Sequence, residues 1–517
     1  MVRDVTRRQV VAGAIAGSAL AHLPVLAAVP AEPSIYFRDI LLVDGTAAAP
    51  RRADVVVLGD RVAAILAPGG SAPRGARLVE GEERVLAPGF IDTHTHGDPL
   101  EQSYDAFLAM GVTTILLGVD GSGPRIGDDL DLRTWLSAAD RAALPLNVAA
   151  LASHGTLRRA SGIADAVRQP DEAALARMAA RLDGELAAGA FGLSYGLEYV
   201  PGIYSERAEL ASLGRTVARH GGLVMSHMRS ENDDEIDASI EELIASAHPA
   251  RPHISHLKVV FGKGEARARQ LLDLIAAKRR DGVDLTADAY PYSAGYTGIA
   301  LLFPEWALPP TDYRAVVAER RQELREHLIA RMTRRGGPGA LLIGTQPYAG
   351  KTLAEEAREA GLHYADFLIK IGPGGASGAH FTMDDALQDI LVLDPEVAIS
   401  TDGGPGMRHP RATGTYAKLI ERYVVNGGRL SIEQAVRKAA ALPARILRLP
   451  DRGVVRPGMK ADLILFAPDR VKARSTYLDP FAQAEGFDMV MVNGRPAFEE
   501  GERVGAAGRL LRAAKVS

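Results

Sequence analysis

The segment Gly89-Phe90-Ile91-Asp92-Thr93-His94-Thr95-His96 sets two histidines two residues apart at the end of a short apolar run. In an extended chain, residues i and i+2 point to the same face, so the imidazoles of His94 and His96 leave the strand side by side. Paired imidazoles on one face suit a divalent metal such as zinc. Taken alone, an H-x-H pair is equally consistent with two surface histidines at a sheet edge. The chain has no cysteine, 13 histidines and 64 acidic residues. Any metal site must therefore be built from nitrogen and oxygen, and no thiolate nucleophile, thiolate ligand or disulfide is possible.

Other apolar runs end in ligand-type residues too. Leu223–His227 ends in His227, within Ser226-His227-Met228-Arg229-Ser230-Glu231. The next ends in His256, within His253-Ile254-Ser255-His256-Leu257-Lys258. The last ends in Asp402, within Ile399-Ser400-Thr401-Asp402-Gly403-Gly404. Five ligand-type residues in this order turn the isolated pair into a metal-site expectation.

The elements that must position them alternate in type. Strands are expected at Thr113–Leu117, Asn147–Leu151, Gly189–Ser194, Leu223–His227, His253–His256, Asp284–Ala289 and Val397–Ser400. Helices are expected at Asp171–Ala188, Ser205–His220, Asp233–Ala247 and Arg267–Lys278. A helix at 431–447 opens on a capping box, Ser431 to Gln434. Repeated β-α units of this length predict an α/β fold with a TIM-type (β/α)8 barrel over residues 88–450, in which strand C-termini converge on one site. Short strands at Ile35–Leu42, Ala53–Leu58, Val62–Leu66, Asp462–Phe466 and Met489–Val492 predict a small β-sandwich domain built from both ends of the chain, 34–87 plus 451–500. Residues 302–380 break the rhythm with Pro, Gly and Arg and are expected to form an insertion over the barrel mouth.

This constellation resembles the metal-dependent amidohydrolase superfamily. Gly192–Tyr199, Ser226–Glu231, His253–Lys258, Asp288-Ala289-Tyr290-Pro291-Tyr292 and His409-Pro410-Arg411-Ala412 together resemble the N-acyl-D-amino-acid deacylase (D-aminoacylase) family, over about residues 34–500. The resemblance implies two adjacent metal positions, with His94, His96 and Asp402 at one and His227 and His256 at the other. It implies zinc, as one or two ions, with other divalent metals as alternatives. The commonest members carry a cysteine ligand after the second strand, in a Gly-x-Cys-Gly turn. Here the turn reads Gly118-Val119-Asp120-Gly121. Many superfamily relatives bridge two metals with a strand-four lysine or glutamate. Residues 189–200 contain no lysine but contain Glu198. Glu198 is therefore expected to be the bridging carboxylate, with Asp120 second.

The resemblance also implies the reaction: hydrolysis of an amide bond in a small N-acyl amino acid by metal-activated water. Asp402 stands where the general base and acid is expected. His154 is a candidate donor to the scissile carbonyl, and a structural hydrogen bond is its alternative role. Lys258 and Tyr290 match positions near the substrate carboxylate, with Arg229 as a second cation. Tyr296 stands where relatives carry a small hydroxyl residue. The competing readings are a cyclic amidase or dipeptidase of the same superfamily, which usually needs the strand-four lysine, and a non-catalytic periplasmic binding protein. Gly192-Leu193-Ser194-Tyr195-Gly196 fits the G-x-S-x-G text of a serine hydrolase, but Pro201 follows where that elbow needs a helix.

Thr6-Arg7-Arg8 precedes a moderately apolar, Ala-rich stretch to Ala28. Residues 1–31 resemble a twin-arginine export signal, cleaved between Ala27 and Glu32. Gly13, Gly17, His22 and Pro24 weaken that stretch as a spanning helix. The expectation is a periplasmic or exported protein with no stable membrane anchor after cleavage. At net charge −4 with no long basic run, nucleic acid is not an expected partner.

Overall fold

The computed structural model describes residues 34–514, and the expected export signal at residues 1–31 lies outside them. The expected barrel is present. Phe90–Asp92, Val112–Leu117 and Asn147–Ala150 pair in parallel. The chain continues from the third strand through Leu151 into Ala152–Ser153. That segment leads the parallel run of Gly192–Gly196, Leu223–His227, Arg251–Ile254, Thr286–Ala289 and Val397–Ile399. The ends of the barrel meet where Thr95 bridges Gly403 in parallel. There the His96 N–H donates to the Gly403 carbonyl at 2.7 Å, and the Asp402 N–H donates to the His94 carbonyl at 2.9 Å.

Two buried carboxylates lock this seam. Asp92 accepts from Thr401 Oγ1 at 2.5 Å, the Thr401 N–H at 2.9 Å and the His94 N–H at 3.1 Å. Burial pushes its carboxyl up to about 6 even so. Asp288 accepts from Thr93 Oγ1 and Ser400 Oγ, each at 2.8 Å, and from the His256 N–H at 2.7 Å. Its Oδ2 also lies 2.8 Å from His253 Nε2. Burial opposes the Asp288 charge, but His253, His94 and the His256 amide outweigh it and hold the carboxyl at about 2. One side chain thus ties together three strand ends that carry candidate ligands.

Both ends of the chain contribute to one nine-stranded sheet, joined where Val85–Pro88 pairs antiparallel with Leu463–Phe466. Period-two alternation divides its side chains. Leu86, Leu463, Leu465, Met489 and Met491 fill the domain's own core. Val85, Ala87, Ile464, Phe466, Val490 and Val492 pack into the barrel core. The sheet extends past the expected limit at 500 to Glu502–Arg503. A buried polar clamp fixes it to the barrel: Asn147 Nδ2 donates to Asp462 Oδ2 at 3.1 Å, and Asn493 Nδ2 donates to Asn147 Oδ1 at 2.7 Å.

The insertion has its own core of Ile299, Leu302, Leu324, Leu328, Leu341 and Leu368. Its sheet pairs Ser377–His380 with both Gly295–Gly298 and Leu341–Ile343. The insertion therefore begins before the expected residue 302. The Tyr313–Arg334 helix contributes Leu324 and Leu328 to this core and ends at Arg335.

Local signals hold at several helix starts. Asp171 caps its helix through the Ala174 N–H, and the Ser431–Gln434 capping box forms. Near the end of the Glu172–Ala187 helix, Glu185 is buried and accepts the Leu132 N–H at 3.4 Å. Burial raises its carboxyl to about 8. A carboxyl raised on folding contributes its full stability below the unfolded value of about 4.5 and loses it as pH rises through about 8. Glu185→Gln is therefore expected to match wild type at pH 4 and to exceed it by up to about 5 kcal/mol at pH 8–9. Urea unfolding across that range checks the sign.

Candidate metal centre

The ligand-type residues converge at the C-terminal ends of the strands. Asp120, His256 and Asp402 all take left-handed backbone, with φ of +52°, +35° and +48°. Such backbone is uncommon for non-glycine residues and concentrates at functional sites. It turns each side chain from its strand end into the mouth. The turn that presents Asp120 is held from below. Ser194 Oγ donates to the Gly118 carbonyl at 2.5 Å and accepts the Gly121 N–H at 3.0 Å. A Cβ on Gly118 (φ +78°) would sit 2.3 Å from the Leu151 carbonyl oxygen, so the turn needs glycine there. Ser194 is fully buried in this bracing role, which removes the serine-nucleophile reading.

Asp120 Oδ2 lies amid four imidazoles. It is 3.2 Å from His94 Nε2, 3.4 Å from His256 Nε2, 3.6 Å from His96 Nε2 and 3.9 Å from His227 Nδ1. Asp402 Oδ1 faces the same group, 3.1 Å from His96 Nε2 and 3.6 Å from His94 Nε2. Two sets have the spacing to hold a metal: His94, Asp120, His256 and Asp402; and His227, Glu231 and His256. His94 Nδ1 and Asp120 Oδ1 are buried and have no hydrogen-bond partner among the described residues. Buried oxygen and nitrogen donors crowded this closely, with an orphaned carboxylate oxygen among them, fit a divalent cation of the zinc type.

The electrostatics follow from the crowding. Burial opposes the charge on Asp120, but His94 and His256 outweigh it and hold the carboxyl well below its usual range. Burial likewise opposes the charge on Asp402, whose carboxyl is held low by Arg411, then His256 and His96. Arg411 Nη1 pairs with Asp402 Oδ2 at 2.9 Å. Burial and Lys258 disfavour charge on His256, yet Asp120, Asp402 and Glu231 push it up to about 9.

The expected residues divide by position. His94, His96, His227, His256 and Asp402 come together. Lys258 reaches Glu231 Oε1 and His256 Nδ1, both at 2.7 Å, and Tyr290 lines the same cavity. Glu198, expected at the bridge, stands outside both metal-spaced sets. Its Oε2 reaches only the far nitrogen of His227, Nε2, at 3.0 Å. The reason is register. Gly192–Gly196 ends two residues before Glu198, so Glu198 rises above the cluster. The Asp120 turn projects into the cluster instead. His154 is a correction. It is buried against Glu209, Nε2 to Oε1 2.7 Å, beneath the helix it starts, and is not among the residues lining the cavity. Arg229 pairs with Glu242 and binds the Ser205 carbonyl. It lines a larger adjoining cavity of about 940 Å³, whereas the metal-side cavity is about 260 Å³.

Sequence reasoning passed over Glu231, Arg411 and Arg335. The first two stand within motifs already quoted, Glu231 four residues past the end of Leu223–His227 and Arg411 at the start of the Arg411–Lys418 helix. Arg335 sits in the insertion, where no local pattern marks it.

Comparison with known proteins identifies the relatives of this chain. The amidohydrolase family profile matches residues 77–498. An N-acyl-D-glutamate deacylase of Alcaligenes xylosoxydans xylosoxydans is 32% identical over 91% of this chain and 95% of its own length. A D-aminoacylase of the same organism is 32% identical over 91% of this chain and 96% of its own length. The crystal structure of an N-acyl-D-glutamate deacylase from Bordetella bronchiseptica, complexed with zinc and a phosphonate mimic of the tetrahedral intermediate, superposes with a TM-score of 0.80. It is 30% identical, covering 93% of this chain and all of that one. With a shared profile, shared architecture and near end-to-end matches, the chain belongs to the amidohydrolase family, among the N-acyl-D-amino-acid deacylases.

Proposed function

We propose that the protein is a zinc-dependent hydrolase that cleaves the amide bond of N-acyl-D-amino acids. The observation that carries this reading is the Asp120 carboxylate amid four imidazoles, with Asp402 beside them at the barrel mouth. The zinc-bound deacylase structure with a mimic of the tetrahedral intermediate supports the choice of metal and reaction. The strand-four segment has no lysine to favour the cyclic amidase or dipeptidase reading.

His94, His96, His227, His256, Asp120 and Asp402 would hold the metal, with Asp120 rather than Glu198 shared between positions. When bound, zinc supplies Lewis acidity that eases loss of a proton from water and polarises a carbonyl. Asp402 takes that proton through Oδ1 and delivers it to the leaving amine. Arg411, paired with the other oxygen, keeps Asp402 ionised between turnovers and fixes its plane. Glu198 orients His227 by accepting from Nε2, so that Nδ1 faces the cluster. Lys258, Tyr290 and Arg411 form the polar wall for the substrate carboxylate. The Tyr290 hydroxyl is buried with no hydrogen-bond partner among the described residues, and the Arg411 guanidinium lies 4.7 Å from its ring centre.

Asp120→Ala is expected to lose most of its metal and activity. Glu198→Ala is expected to keep its metal at saturating zinc, with affinity about 10–100-fold weaker. Elemental analysis of both variants decides between the carboxylates: full metal in Asp120→Ala would return the bridge to Glu198. Asp402→Asn should lower kcat by about 10²–10⁴ on N-acetyl-D-amino acids at saturating zinc, and an unchanged kcat would remove Asp402 from proton transfer. Export through the Arg7-Arg8 signal predicts the mature protein in the periplasmic fraction. Replacing both arginines by lysine should leave it in the cytoplasm, and unchanged fractionation would discard that route.

A further inference from the structure

Three cations line the metal-side cavity: Lys258, Arg335 and Arg411. Lys258 pairs with Glu231 and Arg411 with Asp402. Arg335 is different. It is 7% exposed, its Nε is buried with no hydrogen-bond partner, and no carboxylate forms an ion pair with it among the described residues. Burial lowers its guanidinium to about 10, with Glu198 and Glu231 acting from a distance to raise it. A buried charge without a partner is costly, and proteins rarely keep one unless something supplies the counter-charge.

The carboxylates nearby are already engaged. Glu231 accepts from Lys258 at 2.7 Å, and Glu198 faces His227 at 3.0 Å. Beside Arg335 the cavity wall carries His380, whose buried Nε2 also has no partner. Burial and then Arg335 hold the His380 imidazole well below its usual range, against a bond to the Thr297 backbone, so it brings no carboxylate to compete for Arg335. Both residues belong to the insertion. Arg335 caps the C-terminus of the Tyr313–Arg334 helix, and His380 ends the Ser377–His380 strand. The insertion therefore presents a preformed anion site on the wall contributed by the lid, separate from the barrel residues Lys258, Tyr290 and Arg411.

Resting on the deacylase reading above, we infer that Arg335 binds a second carboxylate of the substrate, on either the amino-acid side chain or the acyl group. Arginine suits this role because its planar fork matches a carboxylate. Arg335 is a specificity residue in this scheme and takes no part in proton transfer.

The test is a panel of N-acetyl-D-glutamate, N-acetyl-D-aspartate, N-succinyl-D-leucine and the neutral N-acetyl-D-leucine and N-acetyl-D-glutamine, assayed with zinc-loaded wild type, Arg335→Met and Arg335→Lys. Wild type should favour at least one diacid over the neutral compounds. Arg335→Met should lower kcat/KM for that diacid by about 100-fold and for the neutral substrates by less than about 3-fold. Arg335→Lys should recover part of the loss. Preference for the acetylated diacids assigns the site to the side chain; preference for the succinyl compound assigns it to the acyl group. Wild type favouring the neutral substrates, or Arg335→Met losing equally on all of them, would overturn the inference and leave the deacylase reading intact. Failure of zinc-loaded wild type on every compound would overturn both. If Arg335→Met does not fold, the diacid-to-neutral ratio of Arg335→Lys carries the same comparison, and an unchanged ratio counts against the inference.

Discussion

Closure of the barrel between its first and last strands is the constraint on which the site depends. His94 and His96 follow the first strand, and Asp402 follows the last, some three hundred residues later. They meet because the His94 carbonyl and the Asp402 amide form one hydrogen bond of the seam. Asp92 and Asp288, both fully buried, bind Thr401 and Ser400 across it. Without that seam the ligands would be far apart in space. With it, they are fixed by backbone pairing and by buried side chains that are costly to move.

A second constraint is electrostatic. Packing Asp120 and Asp402 against imidazoles inside protein sets desolvation against attraction between opposite charges. Attraction wins, as the depressed carboxyls and the raised His256 show. Left-handed backbone at Asp120, His256 and Asp402 is the local strain this packing demands. Arg411 and Lys258 join the same balance by neutralising Asp402 and Glu231. The result is a stiff arrangement of donors, which suits chemistry that depends on geometry and preorganised charge.

The insertion contributes in another way. Its hydrophobic core is separate from that of the barrel, so its contents can vary while the catalytic frame stays put. It brings Arg335 and His380 to the cavity from one side, while the barrel supplies every member of the two metal-spaced sets. This division places reaction chemistry on the scaffold and substrate choice on the lid.

The architecture was legible in the chain because period-two and helical patterns, capping boxes and ligand types at strand ends are local signals. His94, His96, His227, His256 and Asp402 could all be picked out in this way. Glu198 stands off the cluster because its distance past the strand end, and so its height above the histidines, is a matter of register that no local pattern encodes. Asp120 is aimed inward by the Ser194 brace and its left-handed backbone, neither of which a local pattern marks. His154 looked available because nothing near it in sequence announces Glu209, its partner from another helix. Arg335 left no trace, since its significance lies in the carboxylates it does not meet. Short-range periodicity and side-chain chemistry were enough to specify the barrel, the flanking sheet and the list of metal-ligand types. Which carboxylate stands among the histidines, and which cation is left without a partner, was decided only by the tertiary structure, because both depend on distances between segments far apart in the chain.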